Sequence, residues 1–354
     1  MSRTTWRMSQ IVFLGLICGA ALSACSSETP TETATAANDY LFCFWNLENF
    51  FDDHDDHDDH RENRADREYD AWFAHDDKAL QLKLSHLSEA LIGLNHGKGP
   101  DIIATAEVED PRAAELLREA LNQRLSDPSL HYTNVLMKDL SAGRHIAPAI
   151  ITRLPVQRDR TRLHGSRLRI LEGHIKVNNH DLVVIASHWT SRLSDKEGSD
   201  HGGRAKYGDQ IHGLFRGMYK SNPQVDFLVC GDFNDDPWDK SVTEHLHATG
   251  NKEDVLDRGR GDMLLDLFAN KDPDAGFGTL YGGKWHIFDQ VAVSPGLLDE
   301  QGWSCDPSTA RTVTVTANPH DHKHRPWRFG SPHDKHPRGY SDHFPVTVQL
   351  RLHP

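Results

Sequence analysis

Ten apolar runs with the length of β-strands recur along this sequence between residues 40 and 350, and three longer amphipathic stretches lie between them. The strand-like runs are residues 40–46, 101–107, 132–137, 146–152, 168–177, 182–188, 225–231, 287–293, 312–316 and 344–350. The stretches with helical spacing are residues 78–94, 111–125 and 204–219. Asp110 and Pro111 provide an N-cap and a first helical residue for the second stretch. This alternation predicts a mixed α/β fold with two packed sheets.

The first 24 residues have the composition of an export signal. Arg3 and Arg7 precede an apolar run at residues 11–21, which is too short to span a bilayer as a permanent helix. The signal ends in Leu-Ser-Ala-Cys, which resembles a bacterial lipobox and implies that Cys25 is the lipid-modified first residue of the mature protein. The alternative is an ordinary cleaved signal with an incidental cysteine. We expect an exported lipoprotein of the cell envelope, anchored to a membrane by its lipid, and Ser26 suggests the outer membrane.

The rest of the chain divides into a tether and one folded domain. Residues 25–39 are rich in Ser, Thr, Ala and Glu, cannot bury a core and are predicted to be a flexible tether. Residues 40–354 form the domain, which we expect to be monomeric. Two polar insertions in it are predicted to be loops: residues 52–60, which read Asp-Asp-His three times, and the His- and Arg-rich residues 320–339. The first is a solvated acidic loop or a second metal site. The histidines of the second bind a transition metal or contact phosphate together with Arg325 and Arg328.

The formal charge of −13 makes this chain a poor non-specific binder of nucleic acid. If this chain acts on a phosphate group, it must recognise that group by a local site that contains metal and a few cations. Apart from Cys18 in the signal and Cys25, the cysteines are Cys43, Cys230 and Cys305, which give no readable disulfide framework. Cys43 and Cys230 lie in strand-like runs and are expected to be buried thiols.

Polar clusters end several predicted strands, where a sheet can bring side chains from distant positions into one cleft. They read Trp-Asn-Leu-Glu-Asn at 45–49, Ala-Glu-Val-Glu-Asp at 106–110, Ser-His-Trp-Thr-Ser-Arg at 187–192, Gly-Asp-Phe-Asn-Asp-Asp-Pro at 231–237, Phe-Asp-Gln-Val at 288–291 and Gly-Tyr-Ser-Asp-His-Phe-Pro at 339–345. Each cluster is short enough to occur by chance. Six ordered clusters on strand ends are not plausibly accidental.

Together and in this order, the clusters resemble the endonuclease/exonuclease/phosphatase superfamily, whose members are deoxyribonuclease I-like, over residues 40–352. The resemblance implies an α/β (α+β) fold, a four-layer αββα sandwich of two mostly antiparallel sheets with helices on the outer faces. It also implies metal-dependent hydrolysis of phosphoesters. Mg²⁺ is the expected ion because it prefers hard oxygen ligands, and Mn²⁺ or Ca²⁺ can take its place.

The resemblance assigns a metal-binding set. Glu107 matches the metal-binding glutamate, and Asn46 lies beside it as a metal-proximal or phosphate-contacting amide. Glu48 and Asp342 match further carboxylates on the metal side. A lone carboxylate or amide at a strand end is otherwise a cap or turn residue, which is the alternative for each of them.

The resemblance also assigns a catalytic set. Asp232 matches the residue that orients or deprotonates the attacking water, and Asn234 holds that water or a phosphate oxygen. His343, paired with Asp289, and His188 match two imidazoles that flank the scissile phosphate. Physical chemistry agrees with these roles, because hydrolysis concentrates negative charge on the phosphate oxygens and a histidine beside a carboxylate is stabilised as a cation.

Three arginines are candidate phosphate contacts, and nucleic acid is the expected substrate. Arg144 precedes a strand that carries a substrate-facing edge in relatives, while Arg325 and Arg328 would supply the local positive charge that the acidic body lacks. The favoured function is a magnesium-dependent nuclease that cleaves phosphodiester bonds. The alternatives are a phosphatase or phosphodiesterase acting on phospholipid headgroups or inositol phosphates, and a non-catalytic metal-binding surface lipoprotein.

Overall fold

A computed structural model of the chain describes residues 39–55, 64–140, 143–165, 167–194, 203–257, 259 and 262–353. The predicted signal at 1–24, the lipidation site Cys25 and all of the predicted tether except Asp39 lie outside the described residues. Residues 56–60 of the Asp-Asp-His run lie outside them as well.

Fifteen strands and five helices are formed by the described residues. The strands are β1 (Asp39–Phe50), β2 (Ile102–Val108), β3 (Asn134–Leu136), β4 (Ala147–Thr152), β5 (Arg162–Leu163), β6 (Arg169–Val177), β7 (His180–His188), β8 (Asp226–Asp232), β9 (Ala248–Thr249), β10 (Leu264–Asp266), β11 (Leu280–Tyr281), β12 (Trp285–His286), β13 (Asp289–Val293), β14 (Trp303–Thr312) and β15 (Val346–Leu352). The helices are α1 (Arg64–His75), α2 (Asp77–Ile92), α3 (Pro111–Gln123), α4 (Gly203–Ser221) and α5 (Lys252–Leu256).

Two large sheets hold most of the strands. One has six strands in the order β14-β15-β1-β2-β4-β3, and the other has seven in the order β5-β6-β7-β8-β13-β10-β9. Most neighbours are antiparallel, and the parallel pairs are β1–β2, β7–β8 and β9–β10. The predicted sheet composition is therefore confirmed.

Alternation along the strands explains the four layers. In β1, Phe42 and Phe44 point into a core shared with Val184 and Leu228 of the other sheet, while Trp45 points the opposite way. A second core lies between the six-stranded sheet and helices α1 to α3, and a third lies between the seven-stranded sheet and α4. The order is thus helices, sheet, sheet, helix, which confirms the predicted sandwich.

The three predicted helices are confirmed to within three residues at their ends, and Asp110 caps α3 by accepting from Ala113 N at 2.8 Å. The strand predicted at 312–316 is wrong. The strand β14 ends at Thr312, and Thr314–Thr316 is a 3₁₀ turn. The β-branched residues of this segment suggested a strand. Their strand propensity reflects side-chain packing on a sheet, not an intrinsic preference of the backbone, so it does not by itself make a strand.

Cys43, Cys230 and Cys305 are buried free thiols, as expected for the first two. The described helices include none with both the length and the apolar character needed to cross a bilayer.

Candidate active site

Strand register brings the predicted catalytic residues to one edge of the two sheets. His188 ends β7 and lies beside Asp232 at the end of β8, and Asp289 at the start of β13 lies on the other side of Asp232. Asn46 comes from the facing sheet, and its Nδ2 donates to Asp232 Oδ2 at 3.0 Å. The cleft is therefore formed at the seam between the sheets.

Gly231 allows β7 and β8 to approach each other closely at this point. A Cβ on Gly231 would lie 2.3 Å from the backbone oxygen of Ser187 and 2.6 Å from its hydroxyl. Any side chain here would push apart the strand ends that carry His188 and Asp232. The glycine of the Gly-Asp-Phe-Asn motif is thus required by packing, while Asp232 and Asn234 carry polar groups into the cleft.

Several cleft residues have backbone conformations that L-residues rarely adopt. Glu48, Asn49, Glu107 and Asn234 have φ between +50° and +60°. The first three lie where the β1–β2 and β2–β4 registers shift, so an irregularity in β1 and β2 redirects these side chains. Such conformations cost of order 1–3 kcal/mol each and cluster at functional sites.

Asn46 connects two carboxylates that the sequence assigns to different roles. Its Nδ2 lies 3.3 Å from Glu107 Oε1 and 3.0 Å from Asp232 Oδ2. The second oxygen of Glu107 accepts from the backbone N–H of Asn49 at 2.8 Å, and Asp232 Oδ1 accepts from Asn234 N at 2.9 Å. Both carboxylates are therefore fixed with one oxygen facing the same small space.

Two histidines, His343 and His188, flank the space between Glu107 and Asp232. His343 Nδ1 lies 2.7 Å from Asp289 Oδ2, so its Nε2 points towards Asp232 Oδ2 at 3.8 Å. His188 Nε2 lies 3.6 Å from Glu107 Oε1 and 3.8 Å from Asp232 Oδ2. Both rings therefore face one carboxylate oxygen.

The environment shifts three pKa values in this cluster. Burial raises the pKa of Asp232 to about 7, and Asp289 and Glu107 add to the rise while His343 opposes it. Burial alone would lower the pKa of His343, but Asp289 and Asp232 outweigh it and hold that pKa well above its ordinary value. Burial, with Arg169, Arg144 and His343, holds the pKa of His188 well below its ordinary value. One imidazole is therefore a cation and the other is neutral near pH 7.

Glu48 lies beside this cluster and holds a loop. Its carboxylate accepts from Arg328 Nε at 3.0 Å, Phe329 N at 2.6 Å and Gly330 N at 3.1 Å. Both oxygens are thus already bound to the 320–339 segment. The role of Glu48 as a metal ligand remains a prediction, and the contacts observed are those of a residue that positions the loop.

Lys83 is a site residue that the sequence argument missed. Its side chain is buried, and its Nζ donates to the backbone oxygens of Glu48 at 3.2 Å and Tyr340 at 2.9 Å. Burial lowers the pKa of Lys83 to about 8, with Glu48 and Asp342 opposing. The available signal was a lysine between Leu80 and Leu87 on the apolar stripe of a predicted helix, where a charged side chain must find buried partners.

The carboxylates of the predicted metal set fit a hard divalent cation. Asp342 is half-buried, and its pKa is raised first by burial and then by the negative charge of Glu107. Burial and the charge of Asp342 raise the pKa of Glu48 to about 7. Repulsion of this kind is relieved by a cation with oxygen ligands, and the carboxylates of Glu107 and Asp342 supply such ligands. The amide oxygen of Asn46 already accepts from Glu48 N at 3.0 Å, so the role of Asn46 as a metal ligand remains a prediction.

The three predicted arginines do not meet at one point. Arg144 donates to Asn49 Oδ1 at 2.6 Å and to Asp66 Oδ1 at 2.7 Å, and it lines a cavity of about 410 Å³ with Glu107 and His188. Arg325 pairs with Asp321, and Arg328 pairs with Glu48. These two line a cavity of about 630 Å³ that reaches Asp342 and also contains Tyr281 and Trp327. Their contact with substrate remains a prediction.

Trp189, the residue after His188, is fully buried and stacks on Phe233 with ring centroids 4.4 Å apart. It is therefore a packing residue. Trp285 is half-buried and stacks on Phe344.

Comparison with known proteins places this geometry in a family. A family model described as Endonuclease/Exonuclease/phosphatase family matches residues 145–352, more than half of the chain. A solved structure of an endonuclease/exonuclease/phosphatase family protein from Bacteroides thetaiotaomicron is 15% identical, with 89% of this chain and 98% of that chain covered and a TM-score of 0.51.

Two further solved structures share the fold. Truncated TDP2 from Caenorhabditis elegans is 14% identical, with 89% of this chain and 98% of that chain covered and a TM-score of 0.50. A mannosyl-6-phosphatase from Bacteroides thetaiotaomicron is 14% identical, with 88% and 100% covered and a TM-score of 0.50. No curated protein matches the chain. Identities this low show the fold alone.

Proposed function

Because the chain belongs to the endonuclease/exonuclease/phosphatase family, we propose that its cleft hydrolyses phosphodiester bonds of nucleic acid with Mg²⁺ as cofactor. The observation that carries the proposal is the convergence on Asp232 Oδ2. Asn46 Nδ2 lies 3.0 Å from that oxygen, and the Nε2 atoms of His188 and His343 each lie 3.8 Å from it. A carboxylate, an amide and two imidazoles around one space are the groups needed to place a water and to stabilise a charged phosphate.

Each residue has a role that its environment supports. Asp232 orients the attacking water or accepts its proton, and a pKa of about 7 suits a base at neutral pH. His343, a cation held by Asp289, donates a hydrogen bond to a phosphate oxygen on which charge develops. Neutral His188 is a hydrogen-bond partner that adds no further charge.

A divalent cation would be held by Glu107 and Asp342, with Asn46 beside them as a metal-proximal amide. When bound, it supplies Lewis-acid polarisation of a phosphoryl oxygen.

The cavity beside Asp342 supports nucleic acid as the substrate. Tyr281 and Trp327 give it aromatic surface, and Arg325 and Arg328, which pair with Asp321 and Glu48, give it two guanidinium groups. Stacking of a base on an aromatic side chain contributes about 1–3 kcal/mol, and arginine forms paired hydrogen bonds with phosphate. A cavity of this kind suits a base and its neighbouring phosphate.

A substrate panel tests this proposal. The purified protein is incubated with plasmid DNA, single-stranded DNA, RNA, phospholipids and inositol phosphates, each with Mg²⁺ and with chelator. We expect Mg²⁺-dependent release of nucleotides or nicking of plasmid, and a loss of about 5–150-fold in kcat/KM with Trp327→Ala, since stacking contributes about 1–3 kcal/mol. Trp238→Ala is the control because Trp238 is 52% exposed and lines neither cavity.

Phosphate release from the lipids or inositol phosphates without action on any nucleic acid would refute nucleic acid as the substrate. It would still support phosphoester hydrolysis as the reaction. Absence of hydrolysis of every substrate would favour a non-catalytic metal-binding lipoprotein.

We also propose that lipid on Cys25 holds the enzyme at the surface of the cell envelope. The support is the Leu-Ser-Ala-Cys ending of the signal and the Ser- and Thr-rich stretch after it. A Cys25→Ser variant should fail to incorporate labelled palmitate and should leave the membrane fraction. Labelling that persists in this variant would contradict the assignment.

A further inference from the structure

Two histidines and an aspartate meet on the helix-covered side of the seven-stranded sheet. His212 is on α4, His247 directly precedes β9, and Asp262 lies two residues before β10. Each offers one metal-ligating atom, and the three atoms lie within 4.8 Å of one another. None of these residues has a role in the phosphoester cleft.

Strand register places this cluster at the end of the sheet away from the cleft. Asp289 lies opposite Asp232 at the cleft end of β13, and Val293, at its other end, lies opposite Leu265. Asp262 precedes Leu265, and the parallel pairing of β9 with β10 brings His247 to the same end. The length of β13 alone separates the two places by on the order of 13 Å, at about 3.3 Å per residue.

A glycine on α4 allows the segment before β9 to pack directly on the helix. A Cβ on Gly208 would lie 2.6 Å from Ser241 O and 2.8 Å from Leu246 N. Since Gly208 is one helical turn before His212, this close approach brings the next residue of the segment, His247, against the His212 ring. The ring centroids are 3.9 Å apart and their planes differ by 3°.

His247 is held in a conformation that non-glycine residues rarely adopt, with φ of +55°. Backbone strain of this kind costs of order 1–3 kcal/mol and persists where the surroundings impose it, often at ligand sites. The half-buried imidazole of His247 lies beside the largely buried ring of His212.

The third member is already oriented towards the first. His212 Nε2 lies 3.0 Å from the backbone oxygen of Asp262 and 3.7 Å from its Oδ2. Arg216 Nε lies 3.4 Å from the same Oδ2, an outer contact that carboxylates bound to metal commonly keep.

We propose that His212, His247 and Asp262 form a second metal site, which binds a divalent transition-metal ion of the Zn²⁺ class. Two imidazoles and one carboxylate are a ligand set that Zn²⁺ accepts, with water in the fourth position. Parallel rings cannot both direct a lone pair at one ion, so one ring rotates out of the stack when the ion binds. Mg²⁺ prefers an all-oxygen set, so it is not the ion of this site.

Binding of Zn²⁺ and Co²⁺ to the full-length protein tests the site. The bound stoichiometry is measured by equilibrium dialysis, and Co²⁺ coordination is followed by its visible absorption. His247→Asn removes one imidazole while keeping a residue that tolerates positive φ, and Asp262→Asn removes the carboxylate with little change of shape. The matched control is His245→Asn, because His245 lies on the same segment but pairs with Asp209 at 2.9 Å.

We expect the wild type and His245→Asn to bind one more Zn²⁺ than either site variant, or to bind it at least about 10-fold more tightly, since even outer partners of a metal contribute 10–100-fold. Zn²⁺ should raise the melting temperature of the wild type more than that of the site variants. The melting temperatures without metal show whether the variants are folded. If His247→Asn is unstable, the comparison of the wild type with Asp262→Asn decides the test. Equal stoichiometry, affinity and Co²⁺ spectra in the wild type and both site variants would overturn the proposal, as would an equal loss in His245→Asn.

Discussion

Asp232 is the residue on which the two sheets converge. It receives contacts from Asn46 of one sheet and from His188, Asn234 and His343 around the seam. Burial of a carboxylate is costly unless polar neighbours such as these compensate for it. Asp232 is the proposed catalytic carboxylate of the cleft.

The pair of His343 and Asp289 leads to a prediction on pH dependence. Asp289→Asn removes the anion that favours the imidazolium, so the pKa of His343 falls. Because the cationic ring is the active form, the alkaline limb of the profile of kcat/KM against pH should move to lower pH. The value at the optimum should also fall by about 10²-fold or more.

The control for this prediction is a second buried His–Asp pair outside the proposed catalytic set. Asp236 Oδ2 lies 2.8 Å from His286 Nδ1. Asp236→Asn should leave the alkaline limb in place even if it lowers stability. An unchanged limb in Asp289→Asn would remove His343 from the mechanism.

At the scale of strands, the contact between β7 and β8 determines the distance between His188 and Asp232 in the cleft. Gly231→Ala places a methyl group 2.3 Å from Ser187 O, so the strand ends must separate. Overpacking of this kind costs about 1–3 kcal/mol of unfolding free energy. Thermal or denaturant unfolding should show that loss, and kcat should fall as His188 and Asp232 move apart.

Gly217→Ala is the matched control. Gly217 is in the interior of α4, and a methyl group added there would meet nothing within 4 Å beyond the helix's own backbone. Alanine should therefore stabilise the helix by about 0.5–1 kcal/mol. If Gly231→Ala were as stable as the wild type, the close approach of β7 and β8 would not be needed.

Strand β6 carries a buried network that predicts pH-dependent stability. His174 Nε2 lies 2.8 Å from Glu172 Oε1 and its Nδ1 lies 3.0 Å from Asp181 Oδ2, while His164 lies 2.5 Å from the second oxygen of Glu172. Burial disfavours the charged forms of Glu172 and His174, but the hydrogen bonds outweigh burial. Hydrogen bonds from His164 and His174 lower the pKa of Glu172 to about 2, and hydrogen bonds to Asp181 and Glu172 raise the pKa of His174.

The directions of these two pKa shifts define the pH range in which the network stabilises the fold. A lowered carboxyl pKa stabilises the fold above the ordinary value of 4.5, and this is lost as the pH falls towards 2. A raised histidine pKa stabilises below the ordinary value of 6.5, and this is lost as the pH rises through the folded value. Glu172→Gln should therefore cost most between these values, about 1.5–3 kcal/mol for a hydrogen bond to a charged group, and less at higher pH.

Denaturant unfolding at a series of pH values measures this effect. Glu119→Gln is the control, since Glu119 is 51% exposed in an ion pair of 3.6 Å and should change little. A cost for Glu172→Gln that did not vary with pH would contradict the network.

The sequence predicted the large elements well because their apolar periodicity is strong, as in α2 and β7. It missed α1, whose turns are dominated by charged and aromatic residues, and short strands such as β9 and β10. It also identified the cleft residues through motif order. It could not predict the positive φ of Glu107 or the contacts of Lys83, because both depend on how separate strands and helices meet.

For the whole molecule, the acidic charge predicts a shallow salt dependence of nucleic-acid binding. Each phosphate neutralised by a cation contributes about −0.9 to the slope of log K against log salt for duplex DNA. With Arg144, Arg325 and Arg328 as the proposed contacts, the slope for the inactive Asp232→Asn protein should be no steeper than about −3. A slope near −6, typical of a broad basic surface, would contradict a local site.

The most direct test of the central claim uses a chromogenic phosphodiester, which needs no knowledge of the natural substrate. Metal-free protein is titrated with Mg²⁺ while hydrolysis of bis(p-nitrophenyl) phosphate is followed, for the wild type and for Asp232→Asn. We predict saturable activation of the wild type, reversal by chelator, and a kcat about 10²–10⁴-fold lower in the variant. Hydrolysis that is independent of divalent metal, or equal in the two proteins, would contradict the assignment of this cleft as the catalytic site.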